Sequence, residues 1–144
     1  MKRATRDTVI LASGAAVALL VGALVTFAPA VLDAAPGSAL PADPSSMSEL
    51  RSPGGAILLA AFYLTAAIWV RALRPSALVV GALFYGGYTA ARGFSLVVDG
   101  TPNSALLGAL AVEVILAAAF VWTLARPASY VTTSQEPSSR VARV

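Results

Sequence analysis

Four long apolar stretches separated by polar segments run through this sequence and limit what it can fold into. They cover residues 8–28, 53–71, 75–98 and 103–125, and each is close to the roughly 17–25 residues that a membrane-spanning helix needs. Hydrophobic residues make up 58% of the chain and charged residues 12%, which is about half the charged share of a typical soluble protein. The sequence therefore predicts an all-α, four-helix transmembrane bundle in contact with the lipid bilayer.

Residues that start and end helices lie between these stretches. Ser52-Pro53 and Thr101-Pro102 each place a capping hydroxyl before a proline, a pair that suits the first turn of a helix. Gly100 follows the third stretch, where a residue in the left-handed conformation commonly ends a helix. The joins before and after the third stretch are short, so the second, third and fourth helices are expected to be consecutive antiparallel neighbours.

Basic residues are concentrated on one side of the predicted bundle. That side carries Lys2, Arg3, Arg6, Arg71, Arg74 and Arg126. On the opposite side, the single basic loop residue is Arg51. Because lysine and arginine are enriched on the cytoplasmic side of a membrane protein, we expect four spans with both termini in the cytoplasm. The expected location is the cytoplasmic (inner) membrane.

The beginning of the chain has two interpretations. Residues 1–35 combine a basic start, an apolar stretch and alanine-rich sites, as a cleaved secretory signal does. The apolar run is, however, longer than the usual signal core of about 7–15 residues. Gly14, Ala18 and Gly22 also form a face of small residues that suits close helix packing. We therefore expect a retained first helix, and cleavage remains the alternative.

Two polar segments lie outside the predicted helices. Residues 33–52 are rich in proline, serine and alanine and are predicted to form a loop. Residues 127–144 contain threonine, serine, proline and scattered charges, and such a composition cannot bury much apolar surface. We therefore expect a membrane domain over residues 1–126, followed by a disordered cytoplasmic tail.

Two charged residues, Arg92 and Glu113, lie inside the predicted third and fourth spans. A charge in the hydrocarbon costs on the order of 2.5–3.5 kcal/mol on insertion scales, so such residues normally face a partner or a water-filled cavity. At a rise of about 1.5 Å per residue, both fall in the outer half of the bilayer on neighbouring helices. We expect them to form an ion pair, which either fixes the helix register or belongs to a binding site.

Further polar residues are expected around this pair. Tyr85, Tyr88, Arg92, Ser95 and Asp99 are spaced by three or four residues, which places them on one helix face. The second helix region is expected to add Tyr63 near the depth of Glu113, with Glu49 and Arg51 closing the mouth of the site. The full set of ligand-binding candidates is Glu49, Arg51, Tyr63, Tyr85, Tyr88, Arg92, Ser95, Asp99 and Glu113.

The chain contains no cysteine and no histidine. This excludes thiolate and imidazole metal sites, thiol redox chemistry and histidine-ligated haem, and we expect neither a metal nor a cofactor. A net charge of +3, without a basic stripe interleaved with aromatic residues, gives no support for nucleic-acid binding. Carboxylates, tyrosines and arginines are the groups that remain for a site.

Two local patterns resemble the signatures of a known family. The first is Ser48-Glu49-Leu50-Arg51 followed by Gly54-Gly55, and the second is Gly86-Gly87-Tyr88 followed by Arg92, Ser95, Asp99-Gly100 and Pro102. With Glu113 in the last helix, these patterns are similar to a bacterial family of small four-helix integral membrane proteins known only as a domain of unknown function. The resemblance covers residues 8–125. It implies a membrane location and a shared fold, and it supplies no reaction.

Three classes of function are compatible with these features. The first is a protein that binds or transports a small, lipid-like or anionic ligand in an outward-facing intramembrane pocket. The second is a membrane-embedded enzyme acting on a lipid-like substrate, with Glu113 or Glu49 as the acid/base group and Arg92 holding an anionic group. The third is a structural or accessory subunit, whose polar stripe packs against a partner subunit or a second copy.

Overall fold

Helices make up the described part of the chain. The computed structural model describes residues 3–33 and 43–126. Its elements are α1 (Arg3–Phe27), the short α2 (Ala30–Asp33), α3 (Pro44–Trp69), a 3-10 turn (Arg71–Leu73), α4 (Arg74–Val98) and α5 (Ser104–Ala125). The expected tail at 127–144 and residues 34–42 of the expected loop lie outside the described residues. The all-α class with four long helices is confirmed.

The four long helices form an up-and-down bundle of two pairs. α1 packs most extensively against α3, and α4 packs most extensively against α5. At one end, the guanidinium carbon of Arg6 lies 5.1 Å from the ring centre of Trp122, and that of Arg126 lies 3.9 Å from the same ring. At the other end, Nη1 of Arg51 donates to the Thr26 carbonyl over 3.0 Å. The start of α1 therefore lies beside the end of α5.

Small residues allow α1 and α3 to approach closely. A side chain added at Gly22 would lie 2.9 Å from the side chain of Leu58, and one added at Gly54 would lie 3.0 Å from the backbone nitrogen of Thr26. Ala18 and Ala61 are buried between the same helices. Small residues at helix contacts are typical of membrane bundles, because they let backbones pack closely. The predicted packing face of α1 is confirmed.

Tyr85 and Phe120 connect the two helix pairs in the core. Both side chains are buried, and their rings stack with centres 5.8 Å apart. The Tyr85 hydroxyl donates to the carbonyl of Gly14 on α1 over 2.5 Å. Gly81 leaves the space that the Phe120 ring occupies. One tyrosine of α4 thus contacts both α1 and α5, and the backbone carbonyl of α1 satisfies its hydroxyl.

The start of α3 corrects the prediction. The helix begins at Pro44 rather than at residue 53, and Asp43 caps it by accepting a 2.9 Å hydrogen bond from the Ser46 backbone. This bond lowers the pKa of the Asp43 carboxyl. Pro53 lies inside the helix, where a proline removes a backbone hydrogen bond. Asp43-Pro44 and Ser52-Pro53 are both typical of a helix start, and α3 begins at the first of them.

The remaining helix ends differ less from the prediction. α1 begins at Arg3 instead of residue 8. α5 begins after Asn103, whose side chain accepts a 3.0 Å hydrogen bond from the Leu106 backbone, so Thr101 and Pro102 do not form its start. Gly100 has φ +95°, which confirms the left-handed end of α4. An asparagine cap competes successfully with threonine because it ranks higher at this position.

Three of the described helices, α1, α3 and α5, are long and apolar enough to cross a membrane. α4 has 25 residues, but Arg92, two tyrosines and several glycines make it less apolar. Large apolar side chains point outward from the bundle, among them Leu59, Phe62, Leu83 and Ile115. Such a surface would be unfavourable in water and is suited to lipid. This is a membrane protein in contact with the bilayer.

Candidate functional site

A cavity of about 270 Å³ lies between the two helix pairs. All four long helices line it. Its wall includes Val17 and Val21 of α1, Ile57 of α3, Tyr88 of α4 and Val112 of α5. Pockets for small ligands usually measure about 300–1,000 Å³, so this cavity fits a small molecule or one acyl chain. It is too small to enclose a phospholipid with two chains.

Arg92 and Glu113 form an ion pair in the wall of this cavity. Nε of Arg92 lies 3.1 Å from Oε1 and 3.0 Å from Oε2 of Glu113. The Glu113 side chain is 12% exposed and the Arg92 side chain is 30% exposed, so the carboxylate is the more deeply buried partner. The pairing expected from helix depth is confirmed. Each charge compensates the other in a position where an isolated charge would be costly.

The pair leaves hydrogen-bonding capacity unused. The single hydrogen on Nε is directed to Oε1, and the buried Oε2 accepts no hydrogen bond from any described residue. The terminal nitrogens of Arg92 also make no hydrogen bond within the described part of the chain. Arginine commonly binds a carboxylate through two parallel hydrogen bonds. Here the fork formed by the two terminal nitrogens remains available to another acceptor.

The polar stripe of α4 divides into three parts. Tyr85 belongs to the core, and its hydroxyl is engaged by α1. Tyr88 lines the cavity, packs against Phe84 with ring centres 5.0 Å apart, and has no hydrogen-bond partner for its hydroxyl among the described residues. Ser95 donates to Asp99 over 2.8 Å at the exposed end of the helix. Of the five stripe residues, Tyr85, Tyr88 and Arg92 line the cavity, whereas Ser95 and Asp99 do not.

A second, smaller cavity lies on the other side of Arg92. It has a volume of about 60 Å³, and Arg92, Ser95, Leu96 and Pro102 contribute to its wall. Arg92 therefore lies between the large cavity and the end of the bundle that carries Asp99. Ser95 contacts this region without reaching the large cavity.

The candidates from α3 do not join the ion pair. Arg51 binds the Thr26 carbonyl, and Glu49 is exposed; both lie in the helix rather than in a loop before it. The Tyr63 hydroxyl lies 2.8 Å from Ser76 Oγ, near the turn that joins α3 to α4. The depth expected for Tyr63 is wrong. At 1.5 Å per residue, Tyr63 lies about 9 Å from the Trp69 end of α3, whereas Glu113 lies about 18 Å from the Ala125 end of α5 on the same side of the bundle.

Sequence analysis missed the apolar wall of the cavity. Val17, Ile57, Ala109 and Val112 line it, together with Gly108, whose added side chain would meet no atom within 4 Å. These residue types are common on every face of a membrane helix, so their identity does not separate a cavity wall from a lipid-facing surface. A signal in the sequence existed only for α5, where Ala109 lies four residues before Glu113 and therefore on the same helix face.

Comparison with known proteins identifies the family of this chain. A family model described as a domain of unknown function, DUF4345, matches residues 7–124, which agrees with the expected span of 8–125. No curated protein and no solved structure matches the chain. The match covers nearly the full length of the four long helices and both members of the ion pair. The chain belongs to the DUF4345 family.

Proposed function

We propose that this protein binds or transports a small lipid-like molecule in the cavity between its two helix pairs. The observation that carries this proposal is the combination of an apolar wall with one ion pair that lines the same cavity. The apolar part of a ligand can pack along Val17, Val21 and Ile57, while its polar head meets Arg92. Ligand sites in proteins commonly combine apolar walls with a few placed polar groups.

We also propose that the protein lies in the cytoplasmic membrane with both termini in the cytoplasm. Arg6, Arg74 and Arg126 lie toward one end of the bundle, whereas Arg92 is about 9 Å from the opposite end of α4 at 1.5 Å per residue. The positive-inside rule then directs the polar part of the cavity to the outer half of the bilayer. Reporter fusions at Pro44 and at the C-terminus should report opposite sides, and the same side for both would contradict this topology.

Ligand binding can be tested by filling the cavity. Gly108→Leu places a side chain in the open space of the cavity, and Gly55→Leu is the matched control, since an added side chain also meets no atom there and Gly55 does not line the cavity. Both proteins, and the parent, are placed in lipid nanodiscs with labelled dodecanoate, dodecyl sulfate and dodecanol. At least one probe should bind the parent and Gly55→Leu more tightly than Gly108→Leu. Equal binding of every probe by all three proteins contradicts the proposal.

A structural role is the second candidate. The Arg92–Glu113 ion pair and the Tyr85 hydrogen bond to α1 hold α4 in one register against its neighbours, which is a recognised use of buried polar contacts. In this case the protein would act as an accessory subunit or as an oligomer. The nanodisc experiment separates the two candidates, because a purely structural protein shows no difference between Gly108→Leu and Gly55→Leu in binding any of the probes.

A further inference from the structure

The unused hydrogen-bonding atoms of the ion pair define a narrower class of ligand, and this inference rests on the proposed function. We propose that the cavity takes single-chain carboxylic acids and that each carboxylate binds together with one proton, shared with Glu113. The net ligand is thus the neutral acid, although the species in solution is the anion. No covalent bond forms or breaks.

The charge balance of the cavity requires the proton. Arg92 is the one cation and Glu113 the one anion among the described residues that line the cavity. Tyr85 and Tyr88 of α4 lie within electrostatic reach of Glu113, while α1 and α3 contribute apolar side chains only. A bound carboxylate would therefore place two anions beside one guanidinium. Two carboxylates that share a site do not both remain ionised, and one of them keeps a proton.

The hydrogen-bond geometry fits the same ligand. The terminal nitrogens of Arg92 offer donors, and Oε2 of Glu113 is a buried acceptor without a donor in the described part of the protein. A carboxyl group and one proton supply what is missing on both sides. One ligand oxygen accepts from the guanidinium, and the proton is shared between the other ligand oxygen and the Glu113 carboxylate. A buried acceptor without a partner is unfavourable, so the ligand completes the site.

The shape of the cavity restricts the rest of the ligand. Its volume of about 270 Å³ lies just below the usual range of about 300–1,000 Å³ for ligand pockets. The wall beyond the ion pair consists of aliphatic and aromatic side chains, including Leu20, Phe84 and Val112. One saturated chain satisfies these conditions. A sugar or a nucleotide would leave many polar groups unpaired against this wall.

The test compares three probes with the same chain. Binding of dodecanoate, dodecyl sulfate and dodecanol to the full chain in nanodiscs is measured from pH 6 to pH 9, with empty nanodiscs subtracted. For the parent, dodecanoate affinity should fall about tenfold per pH unit once the free ligand is ionised, because one proton is bound with it. Glu113→Gln cannot take the proton, and its dodecanoate affinity should stay constant over that range. Dodecyl sulfate, which remains an anion, should bind Glu113→Gln more tightly than the parent.

A second measurement does not depend on the folding of a variant. Dodecanoate is added to the parent protein in weakly buffered solution with a pH indicator, and one proton should be taken up per ligand bound. The Gly108→Leu variant is the control, because it gives the proton uptake that occurs without binding in the cavity. Dodecanoate binding without proton uptake, or the same pH dependence in the parent and Glu113→Gln, overturns the inference. If dodecanol alone binds and Gly108→Leu blocks it, this inference fails while the proposed function stands; if Gly108→Leu changes no binding, both fail.

Discussion

At the scale of single residues, Arg92 and Glu113 depend on each other. The carboxylate of Glu113 is nearly buried, and its partner atom is Nε of Arg92 at 3.0 to 3.1 Å. The pair lies between helices that otherwise present apolar side chains to the cavity. Removing one partner of a buried ion pair leaves an uncompensated charge and is strongly destabilising, whereas replacing both partners by apolar residues often costs little. The two kinds of variant together therefore measure what the pair contributes to stability.

We expect Arg92→Ala to destabilise the protein by about 3–5 kcal/mol, because it leaves the Glu113 carboxylate buried without a counter-charge. Replacing both residues by leucine should cost clearly less. Unfolding in a denaturing detergent series, followed by circular dichroism, measures both variants against the parent. Equal stability of the parent, the single variant and the double variant would show that the two side chains do not act as a buried pair.

Tyr85 and Tyr88 lie three residues apart in α4 and have different roles. Tyr85→Phe removes the hydrogen bond to the Gly14 carbonyl and keeps the stacking on Phe120, so a loss of about 0.5–1.5 kcal/mol is expected. Tyr88→Phe is the matched control, because its hydroxyl has no partner within the residues that the structure describes. Unfolding in the same detergent series measures the stability of both variants. A larger loss of stability for Tyr88→Phe than for Tyr85→Phe would contradict the assignment of Tyr85 to the core.

At the scale of helices, α1 and α3 form the tighter interface of small residues. Gly22 and Gly54 lie where the two backbones come closest. Association of membrane helices depends on such close packing, since lipid chains compete equally well for contact with apolar side chains. The adjacent glycines at 54 and 55 provide a direct comparison, because one is buried in this interface and the other meets no neighbouring atom.

Gly54→Ala should destabilise the α1–α3 interface, since the new methyl group would lie 3.0 Å from the backbone nitrogen of Thr26 and overpacking typically costs about 1–3 kcal/mol. Gly55→Ala should be neutral or stabilising, because alanine favours the helix by about 1 kcal/mol over glycine. Detergent unfolding of the two variants gives the comparison. Equal effects of both substitutions would mean that the helices do not approach closely at Gly54.

At the scale of the whole molecule, the pairing of α4 with α5 compensates for the polar character of α4. α4 is the one long helix of the described chain that does not reach the apolarity of a membrane span. Glu113 of α5 supplies the counter-charge for its arginine. The two helices are joined by only a few residues, so they can enter the membrane as a helical hairpin in which the charges are already close.

We expect the α4 segment alone to insert poorly in a translocon insertion assay and the α4–α5 hairpin to insert well. Arg92→Leu should restore insertion of the isolated α4 segment, because a central arginine costs about 2.5–3.5 kcal/mol on such scales. Glycosylation tags on either side of the segment provide the measurement. Efficient insertion of the isolated α4 segment would contradict this prediction, because α4 would then not need α5 to enter the membrane.

Sequence alone was sufficient for the class of protein, the number of long helices and the Arg92–Glu113 pair. Hydropathy and helical periodicity are local properties, and two costly charges on neighbouring membrane helices have few alternatives to pairing. The left-handed Gly100 was predictable for a similar reason, because the backbone conformation after a helix favours glycine strongly.

Only the tertiary structure decided where α3 starts, which partners the tyrosines have and where the cavity lies. Asp43-Pro44 and Ser52-Pro53 are equivalent start signals locally, so the choice between them depends on packing beyond the capping residue. Tyr63 meets Ser76 instead of the ion pair, and Tyr85 meets a backbone carbonyl of α1. Apolar residues such as Val17 and Ile57 look the same whether they face lipid, a helix or a cavity, and three-dimensional packing alone makes that distinction.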